Sequence, residues 1–196
     1  LEHSLNVGTY SALFAMAFGK IDTDLLADIA MAGLLHDVGI TTIDFTVVSR
    51  PWIQHEESDR KVFSTHVQKG IDLLIEAGAA IPMRVREIMA QHHEKFDGTG
   101  YPKQLKGFAF DDVAQLVGIA DFVDSISSGQ WDGTPRLSKE AFKILQGFEK
   151  EKSFPVYFNP DVFSNVIQWV TGNQIDESMP KEALDVVQKD LEKLLG

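Results

Sequence analysis

Apolar residues recur at helical spacing along almost the whole chain, and the alternating β-branched runs that indicate strands are nearly absent. In the stretch STHVQKGIDLLIEAG, for example, Val67, Ile71 and Leu74 fall on one face of a helix. Gly78 follows at the position where such a helix would end. The pattern predicts an all-α fold, a bundle of helices around a single core.

Capping residues predict further helix boundaries. The stretch DTDLLADIAMAGLLHDVG has Asp22 or Asp24 as its N-cap and predicts a helix that ends at Gly39. Helices are also predicted for PMRVREIMAQHH, DDVAQLVGIADFVDSIS and SKEAFKILQGFEK. The last predicted helix, DVFSNVIQWV, follows the starting pair Asn159 and Pro160.

The composition limits the classes of function. The 196 residues contain no cysteine, so thiolate ligands are excluded and any metal must be bound by nitrogen and oxygen. The 29 acidic and 18 basic residues give a net charge of −11, which argues against a nucleic-acid-binding protein. No apolar run approaches the roughly 18 residues of a membrane span, and the charged start LEHSLN is unlike a signal peptide. We therefore expect a cytoplasmic domain without membrane or nucleic-acid partners.

The length predicts one main domain. We expect residues 1–172 to form a helical domain and residues 173–196 to form a C-terminal helix that packs on it. In that tail, MPKEALDVVQKDLEKLLG, apolar residues at 3-4-3 spacing extend over barely two heptads, so homodimerisation through a coiled coil is the alternative. Because the chain starts at Leu1, without Met and inside a predicted helix, we also expect a further domain upstream.

Histidines and aspartates are placed at the ends or inner faces of separate predicted helices. His36 and Asp37 end one helix, His92 and His93 end another, and Asp121 lies within the apolar GIADFVD. Helical bundles build metal sites from facing helices in this way. Imidazoles and carboxylates without sulfur suit iron, manganese or zinc, and two such metals about 3.5 to 4 Å apart can share a hydroxide and bind a phosphoryl oxygen. The pattern therefore indicates a phosphohydrolase, although a single histidine is more often a structural residue than a ligand.

Five segments carry a resemblance to a known family: HSLNV, LLHDVG, HVQKG, HHEKFDGTGYP and GIADFVDSI. In order and spacing they resemble the HD-GYP subfamily of HD-domain metal-dependent phosphohydrolases, over residues 1 to about 137. The most specific segment matches the signature HHExxDGxGYP, and His55 is the only histidine outside the family positions. The resemblance implies an all-helical HD-domain bundle around a multinuclear metal site, often of iron. It also implies cleavage of the bacterial messenger cyclic di-GMP to its linear dinucleotide or to GMP.

The same resemblance implies a set of metal ligands. Asp37 would bridge two ions and be the catalytic carboxylate. The other ligands would divide between the two ions, with one bound by His3, His36 and Asp121 and the other by His66, His92 and His93. Two first-row transition metals, iron or manganese, are therefore expected. A third is not supported, because the glutamate that some members use would precede Leu1.

The chain also departs from the family pattern where substrate cations are common. Ile40 replaces the lysine of the His-Asp-x-Gly-Lys motif, and no cation stands near it in the sequence. Asn6 replaces an arginine, and SSGQWDGTPR replaces a basic segment, which leaves Arg136 as the expected phosphate contact. We therefore expect slow or undetectable hydrolysis of cyclic di-GMP. Two interpretations stay open: a phosphodiesterase acting on cyclic di-GMP or a related phosphoester, and a metal-loaded, weakly active or inactive module that binds a nucleotide or a protein partner.

Smaller features have two interpretations each. Trp131 could stack on a guanine base or anchor a loop. Gly100, Tyr101 and Pro102 could contact or gate a signalling-domain partner, as the resemblance implies, or could shape a turn. The surrounding segment, residues 94–110, is the longest irregular stretch. Its glycines and polar residues predict few fixing contacts, so we expect it to be more mobile than the helices or to be ordered only by a ligand or a neighbouring chain.

Overall fold

The structure of the protein is a computed structural model that describes residues 1–20, 22–150, 156–170 and 172. Nine α-helices lie within these residues: α1 (Glu2–Ala17), α2 (Thr23–Leu35), α3 (Phe45–Val48), α4 (Glu57–Ser64), α5 (His66–Glu76), α6 (Met83–Met89), α7 (Asp112–Ser127), α8 (Ser138–Lys150) and α9 (Pro160–Val170). No β-strand occurs in the described part of the chain, where Asp97 and Lys106 form an isolated bridge. The predicted all-α fold is confirmed.

Helix α7 forms the centre of the bundle. It packs against α1, α2, α6, α8 and α9. Only Asp112, Ser125 and Ser127 of its residues are not buried, so this helix is enclosed on nearly all sides. The apolar residues that recur at helical spacing along it are all buried: Leu116, Ile119, Ala120 and Val123.

Helix α2 begins where the sequence predicts and ends earlier. The Asp22 side chain accepts a hydrogen bond from the backbone N–H of Leu25 at 2.9 Å, which confirms the predicted N-cap. The helix ends at Leu35, and a short 3₁₀ helix, Val38–Thr42, contains Gly39. The predicted end at Gly39 was therefore wrong.

Gly39 serves close packing instead of helix termination. A Cβ atom built on it would lie 2.0 Å from the carbonyl oxygen of His66 and 2.6 Å from the amide nitrogen of Gly70. Such distances exclude any side chain. The two backbones can therefore approach directly, and this approach brings the start of α5 beside the end of α2.

The segment of residues 94–110 is fixed by many contacts. The buried carboxylate of Glu94 accepts hydrogen bonds from the backbone N–H groups of Lys103 at 2.6 Å and Leu105 at 2.8 Å. The N–H of Tyr101 donates to the carbonyl of His93 at 3.1 Å. The expectation that few contacts hold this segment was wrong, because one buried carboxylate satisfies two of its backbone donors.

The remaining helices compare with the sequence predictions in three different ways. Asn159 accepts a hydrogen bond from the N–H of Asp161 at 3.0 Å, which confirms the start of α9. Helices α3 and α4 were not predicted from the sequence. The predicted C-terminal helix within residues 173–196 lies outside the described residues.

Residues Thr23–Thr42 are long and apolar enough, by length and composition alone, to cross a membrane. This is weak support for a membrane span, because core helices of soluble proteins pass the same test. In this fold α2 packs against α1, α6 and α7, and the stretch also contains His36 and Asp37.

Candidate metal centre

The ends of several helices bring seven histidines and aspartates together. His3 lies in the first turn of α1, Asp121 in α7, and His66 at the start of α5. His92 and His93 lie in the turn after α6, which ends at Met89 and so does not reach them as predicted. All seven candidate ligands fall into two groups: Asp37, His66, His92 and His93 in one, and His3, His36 and Asp121 in the other.

The group of His3, His36 and Asp121 is compact. The Nε2 atom of His3 lies 3.3 Å from Nε2 of His36 and 3.4 Å from Oδ1 of Asp121. The Oδ2 atom of Asp37 lies 3.2 Å from Nε2 of His36 and 3.4 Å from Nε2 of His3. One oxygen of Asp37 therefore faces this group.

The other oxygen of Asp37 faces the second group. Its Oδ1 atom lies 3.2 Å from Nε2 of His66 and 3.9 Å from Nε2 of His92. These two histidine nitrogens are 3.4 Å apart. The ring of His93 lies beside that of His92, with 4.1 Å between ring centroids and a tilt of 43°. Asp37 thus stands between the groups, in the position of a bridging carboxylate.

The spacing fits metal ions. Two ligands that each lie about 2.0–2.1 Å from one ion, at angles of about 90–109°, are separated by roughly 2.9–3.4 Å. Most of the distances above fall in this range. In addition, Oδ1 of Asp37 and Nε2 of His93 are buried and lack a hydrogen-bond partner in the described residues. Because unpaired buried polar atoms are costly, a cation between them explains their arrangement.

Backbone carbonyls orient three of the histidines. In each, the Nδ1 atom lies 2.6–2.7 Å from the carbonyl oxygen three residues earlier: His36 on Gly33, His66 on Phe63 and His92 on Met89. A donated Nδ1–H leaves the Nε2 lone pair directed at the centre. The local backbone therefore fixes both the tautomer and the direction of these ligands.

A carboxylate orients His3. Its Nδ1 atom lies 2.6 Å from Oδ2 of Asp124, and the amide of Asn6 donates to Oδ1 of Asp124 at 2.8 Å. Sequence reasoning missed Asp124. The available signal was its spacing, because Asp121 and Asp124 lie three residues apart and therefore on one face of α7.

Burial and neighbouring charges shift the pKa values of the candidate ligands. Burial lowers the pKa of His92 to about 3 and that of His93 well below its usual value, helped by neighbouring histidines. Burial also acts to lower the pKa of His3, but hydrogen bonds to Asp121, Asp124 and Asp37 outweigh it and raise that pKa to about 12. In the absence of a metal, the carboxylates therefore hold a proton on His3, and a metal ion would displace it.

A cavity of about 1270 Å³ opens beside the ligands and is lined by several cations. Asp37, Asp121 and Ile40 line it together with Arg50, Arg60 and Lys95. The sequence neighbours of Ile40 supply no cation, but residues distant in sequence do. The tertiary fold, not the motif, thus determines the charge of this cavity.

Lys95 is the cavity cation nearest in sequence to the pair of His92 and His93, two residues after His93. Its Nζ atom lies 4.8 Å from the ring centroid of Tyr157, 5.0 Å from Phe158 and 5.5 Å from Phe122. Burial lowers the pKa of Lys95 to about 8, against the opposing charges of Asp121 and Asp97. Its ammonium group is thus mainly charged at neutral pH, and aromatic faces stabilise it.

The Gly-Tyr-Pro loop lies against the second ligand group. The ring of Tyr101 lies 4.8 Å from that of His93, and burial raises the pKa of Tyr101 well above its usual value, so the phenol stays protonated. A Cβ atom on Gly100 would lie 2.3 Å from the amide nitrogen of Lys95, so only glycine fits there. Pro102 is exposed. The loop thus presents a phenol to the cavity and a proline to the surface.

Arg136 is not brought to this cavity. Its guanidinium is held by both carboxylate oxygens of Asp132, with Nη1 at 2.9 Å from Oδ1, and it also donates to the carbonyl of Thr134 at 2.8 Å. It is absent from the residues that line the cavity. Its position gives no support to the predicted phosphate contact.

These features define a class of protein. A sequence profile of the HD-domain family matches residues 11–154, most of the chain, so the chain belongs to the HD-domain family. Within that family the HHExxDGxGYP segment matches the HD-GYP signature, and curated relatives named cyclic di-GMP phosphodiesterases support this placement. The resemblance stated from the sequence is confirmed.

Two curated relatives are named as phosphodiesterases of cyclic dinucleotides. The 3'3'-cGAMP-specific phosphodiesterase 2 of Vibrio cholerae is 30% identical over 127 residues, which cover 64% of this chain and 24% of that protein. A cyclic di-GMP phosphodiesterase of Thermotoga maritima is 28% identical over 145 residues, which cover 74% of this chain and 39% of that protein. The chain therefore spans about a quarter to two fifths of the length of these relatives.

Solved structures share the fold. An HD-GYP-type protein from Bdellovibrio bacteriovorus superposes with a TM-score of 0.68 at 24% identity, covering 87% of this chain and 52% of that one. A cyclic GMP-AMP phosphodiesterase from Vibrio cholerae gives a TM-score of 0.60 at 17% identity, covering 87% and 44%. At these identities the likeness concerns the fold alone.

Proposed function

We propose that the chain is a metal-dependent phosphodiesterase domain that hydrolyses a cyclic dinucleotide such as cyclic di-GMP. The observation that carries the proposal is Asp37, whose two oxygens face separate groups of nitrogen and oxygen donors. Two ions held there supply Lewis acidity to a phosphoryl oxygen and lower the pKa of a water molecule. The cyclic dinucleotide phosphodiesterases among the curated relatives support the substrate class.

The donor set supports two first-row transition metals, iron or manganese, because it combines imidazoles and carboxylates without sulfur. We assign Asp37 as the bridging ligand. The remaining ligands divide between the ions: His3, His36 and Asp121 for one, and His66, His92 and His93 for the other.

Residues around the ligands have their own roles in this proposal. Lys95 places a positive charge in the cavity beside Asp121 and stabilises negative charge on a phosphate. The protonated phenol of Tyr101 donates a hydrogen bond to a phosphate oxygen. Asp124 holds His3 in the orientation that its ligand role needs.

A second candidate function is a metal-loaded, weakly active or inactive module that binds a nucleotide or a protein partner. Ile40 favours it, because an apolar side chain lines the cavity where the family motif has a lysine. The salt bridge between Arg136 and Asp132 favours this second candidate as well. A protein partner would meet the Gly-Tyr-Pro loop at its exposed side, where Pro102 faces solvent.

The test uses the chain reconstituted with Mn²⁺ or Fe²⁺, its metal content measured, and three substrates: cyclic di-GMP, 3'3'-cGAMP and bis(p-nitrophenyl) phosphate. Hydrolysis that disappears on chelation and in Asp37→Ala supports the phosphodiesterase. Metal-loaded protein that binds cyclic di-GMP but hydrolyses none of the three substrates would establish the second candidate instead.

A further inference from the structure

Two half-buried tryptophans line the cavity of the metal centre, and the proposed metal chemistry gives neither of them a role. Trp52 and Trp131 are far apart in sequence, but their loops are joined by backbone hydrogen bonds. The N–H of Trp52 donates to the carbonyl of Gln130 at 2.9 Å, and that of Ile53 donates to the carbonyl of Trp131 at 3.1 Å. We call Trp52 and Trp131 together the tryptophan wall.

Each tryptophan is connected to one ligand group through a phenylalanine. The ring of Trp52 lies 5.6 Å from that of Phe63, and Phe63 lies 4.8 Å from the ring of the ligand His66. The ring of Trp131 lies 4.8 Å from that of Phe122, the residue after the ligand aspartate of α7. The wall is thus one aromatic layer away from both halves of the metal centre.

Further contacts fix the ring of Trp52. The guanidinium of Arg60 lies 5.4 Å over it, and the ring of His55 lies 5.3 Å away. His55 is itself held, because its Nε2 atom lies 2.9 Å from the carbonyl oxygen of Val47. The one histidine outside the family motifs therefore supports a cavity aromatic. A ring held in advance loses little entropy when a ligand stacks on it.

We infer that the tryptophan wall binds a purine base of the nucleotide whose phosphodiester reaches the metal centre, an inference that rests on the proposed function. Aromatic faces serve as platforms for bases, and stacking changes affinity by roughly 5- to 150-fold per base. The chain lacks the motif lysine at Ile40 and an arginine at Asn6. Contacts to the base therefore replace part of the affinity that other members would obtain from phosphate contacts.

The test compares probes with and without a base. Mn²⁺-loaded full chain is titrated with GMP and with ribose 5-phosphate by calorimetry, in the wild type and in Trp52→Leu, Trp131→Leu and Phe108→Leu. Phe108 is 88% exposed and does not line the cavity, so it is the matched aromatic control. We expect the wild type to bind GMP at least about 10-fold more tightly than ribose 5-phosphate, and each tryptophan variant to lose at least about 5-fold in GMP affinity. Phe108→Leu should bind GMP like the wild type.

Fluorescence gives a second readout that needs no variant. The remaining tryptophan, Trp169, is 5% exposed and packs on Phe14. Quenching of the tryptophan fluorescence by GMP but not by ribose 5-phosphate therefore reports binding of the base at the tryptophan wall. Equal wild-type affinity for the two probes, or absence of GMP quenching, would overturn the inference. Hydrolysis of bis(p-nitrophenyl) phosphate tests the proposed function separately. Hydrolysis without a preference for GMP overturns the wall alone, and a GMP preference without hydrolysis supports the wall in a binding module.

Discussion

The Nδ1 atom of His3 lies 2.6 Å from Oδ2 of Asp124, a buried carboxylate that follows the ligand Asp121 by three residues. This contact turns the Nε2 atom of His3 toward His36 and Asp37. Helix α1 thereby contributes a candidate ligand whose direction is set by α7, the central helix of the bundle.

We predict that Asp124→Asn lowers metal affinity by about 10- to 100-fold, because supporting carboxylates of metal-ligating histidines have effects of this size. Competition with a chelator measures the change. Asp72→Asn, at an exposed position of α5, is the control and should bind metal like the wild type. Unchanged affinity in Asp124→Asn would show that Asp124 does not support the site.

Lys95→Met should lower turnover on a phosphodiester by about 10²–10³-fold with metal content unchanged, since it removes a positioned charge at nearly constant volume. Lys95→Arg should recover part of that loss. Lys103→Met, an exposed lysine of the same loop, is the matched control. If Lys95→Met and Lys103→Met have equal turnover, Lys95 acts in packing and not on the substrate.

Ile40→Lys should raise turnover on cyclic di-GMP, by up to about 10²-fold, because the side chain at this position lines the cavity. The measurement is steady-state hydrolysis with metal content determined in both proteins. Rapid hydrolysis by the wild type would contradict this prediction, since the motif lysine would then be dispensable in this chain.

The pH dependence of stability should reflect Asp111, which caps α7 and lies 2.7 Å from Nη1 of Arg84. Burial acts to raise the pKa of Asp111, but Arg84 outweighs it and holds the pKa below the usual 3.8. A lowered folded-state pKa stabilises the fold above pH 3.8, and this stabilisation is lost as the pH falls through the folded-state pKa.

We therefore expect Asp111→Ala to lower the free energy of unfolding by about 1–2 kcal/mol at pH 7, as for other helix caps. The difference from the wild type should shrink at pH 3. Urea denaturation of both proteins at the two pH values measures it. A difference that is equal at both values would show that the charge of Asp111 does not contribute.

The sequence predicted which histidines and aspartates cluster better than it predicted their surroundings. His36, Asp37, His92 and His93 could be identified because each lies within a short motif that carries its own spacing. Lys95 could not, because its role depends on rings contributed by residues distant in the chain. Trp52 escaped notice for the same reason.

Helix ends were also harder to predict than helices. The sequence suggested that a glycine ends α2, but Gly39 is required by a backbone contact with α5 that no local pattern reveals. The segment after His93 was expected to be loosely held, because the buried carboxylate of Glu94 is not distinguishable from a surface glutamate in sequence.

Asp37 is placed to bridge two metal sites, with Oδ1 at 3.2 Å from His66 Nε2 and Oδ2 at 3.2 Å from His36 Nε2. Elemental analysis of the chain after reconstitution tests it most directly. We expect about two first-row transition metal ions per wild-type chain and a loss of both in Asp37→Ala, because a bridging carboxylate serves both ions. Fewer than about half a metal ion per wild-type chain would contradict it.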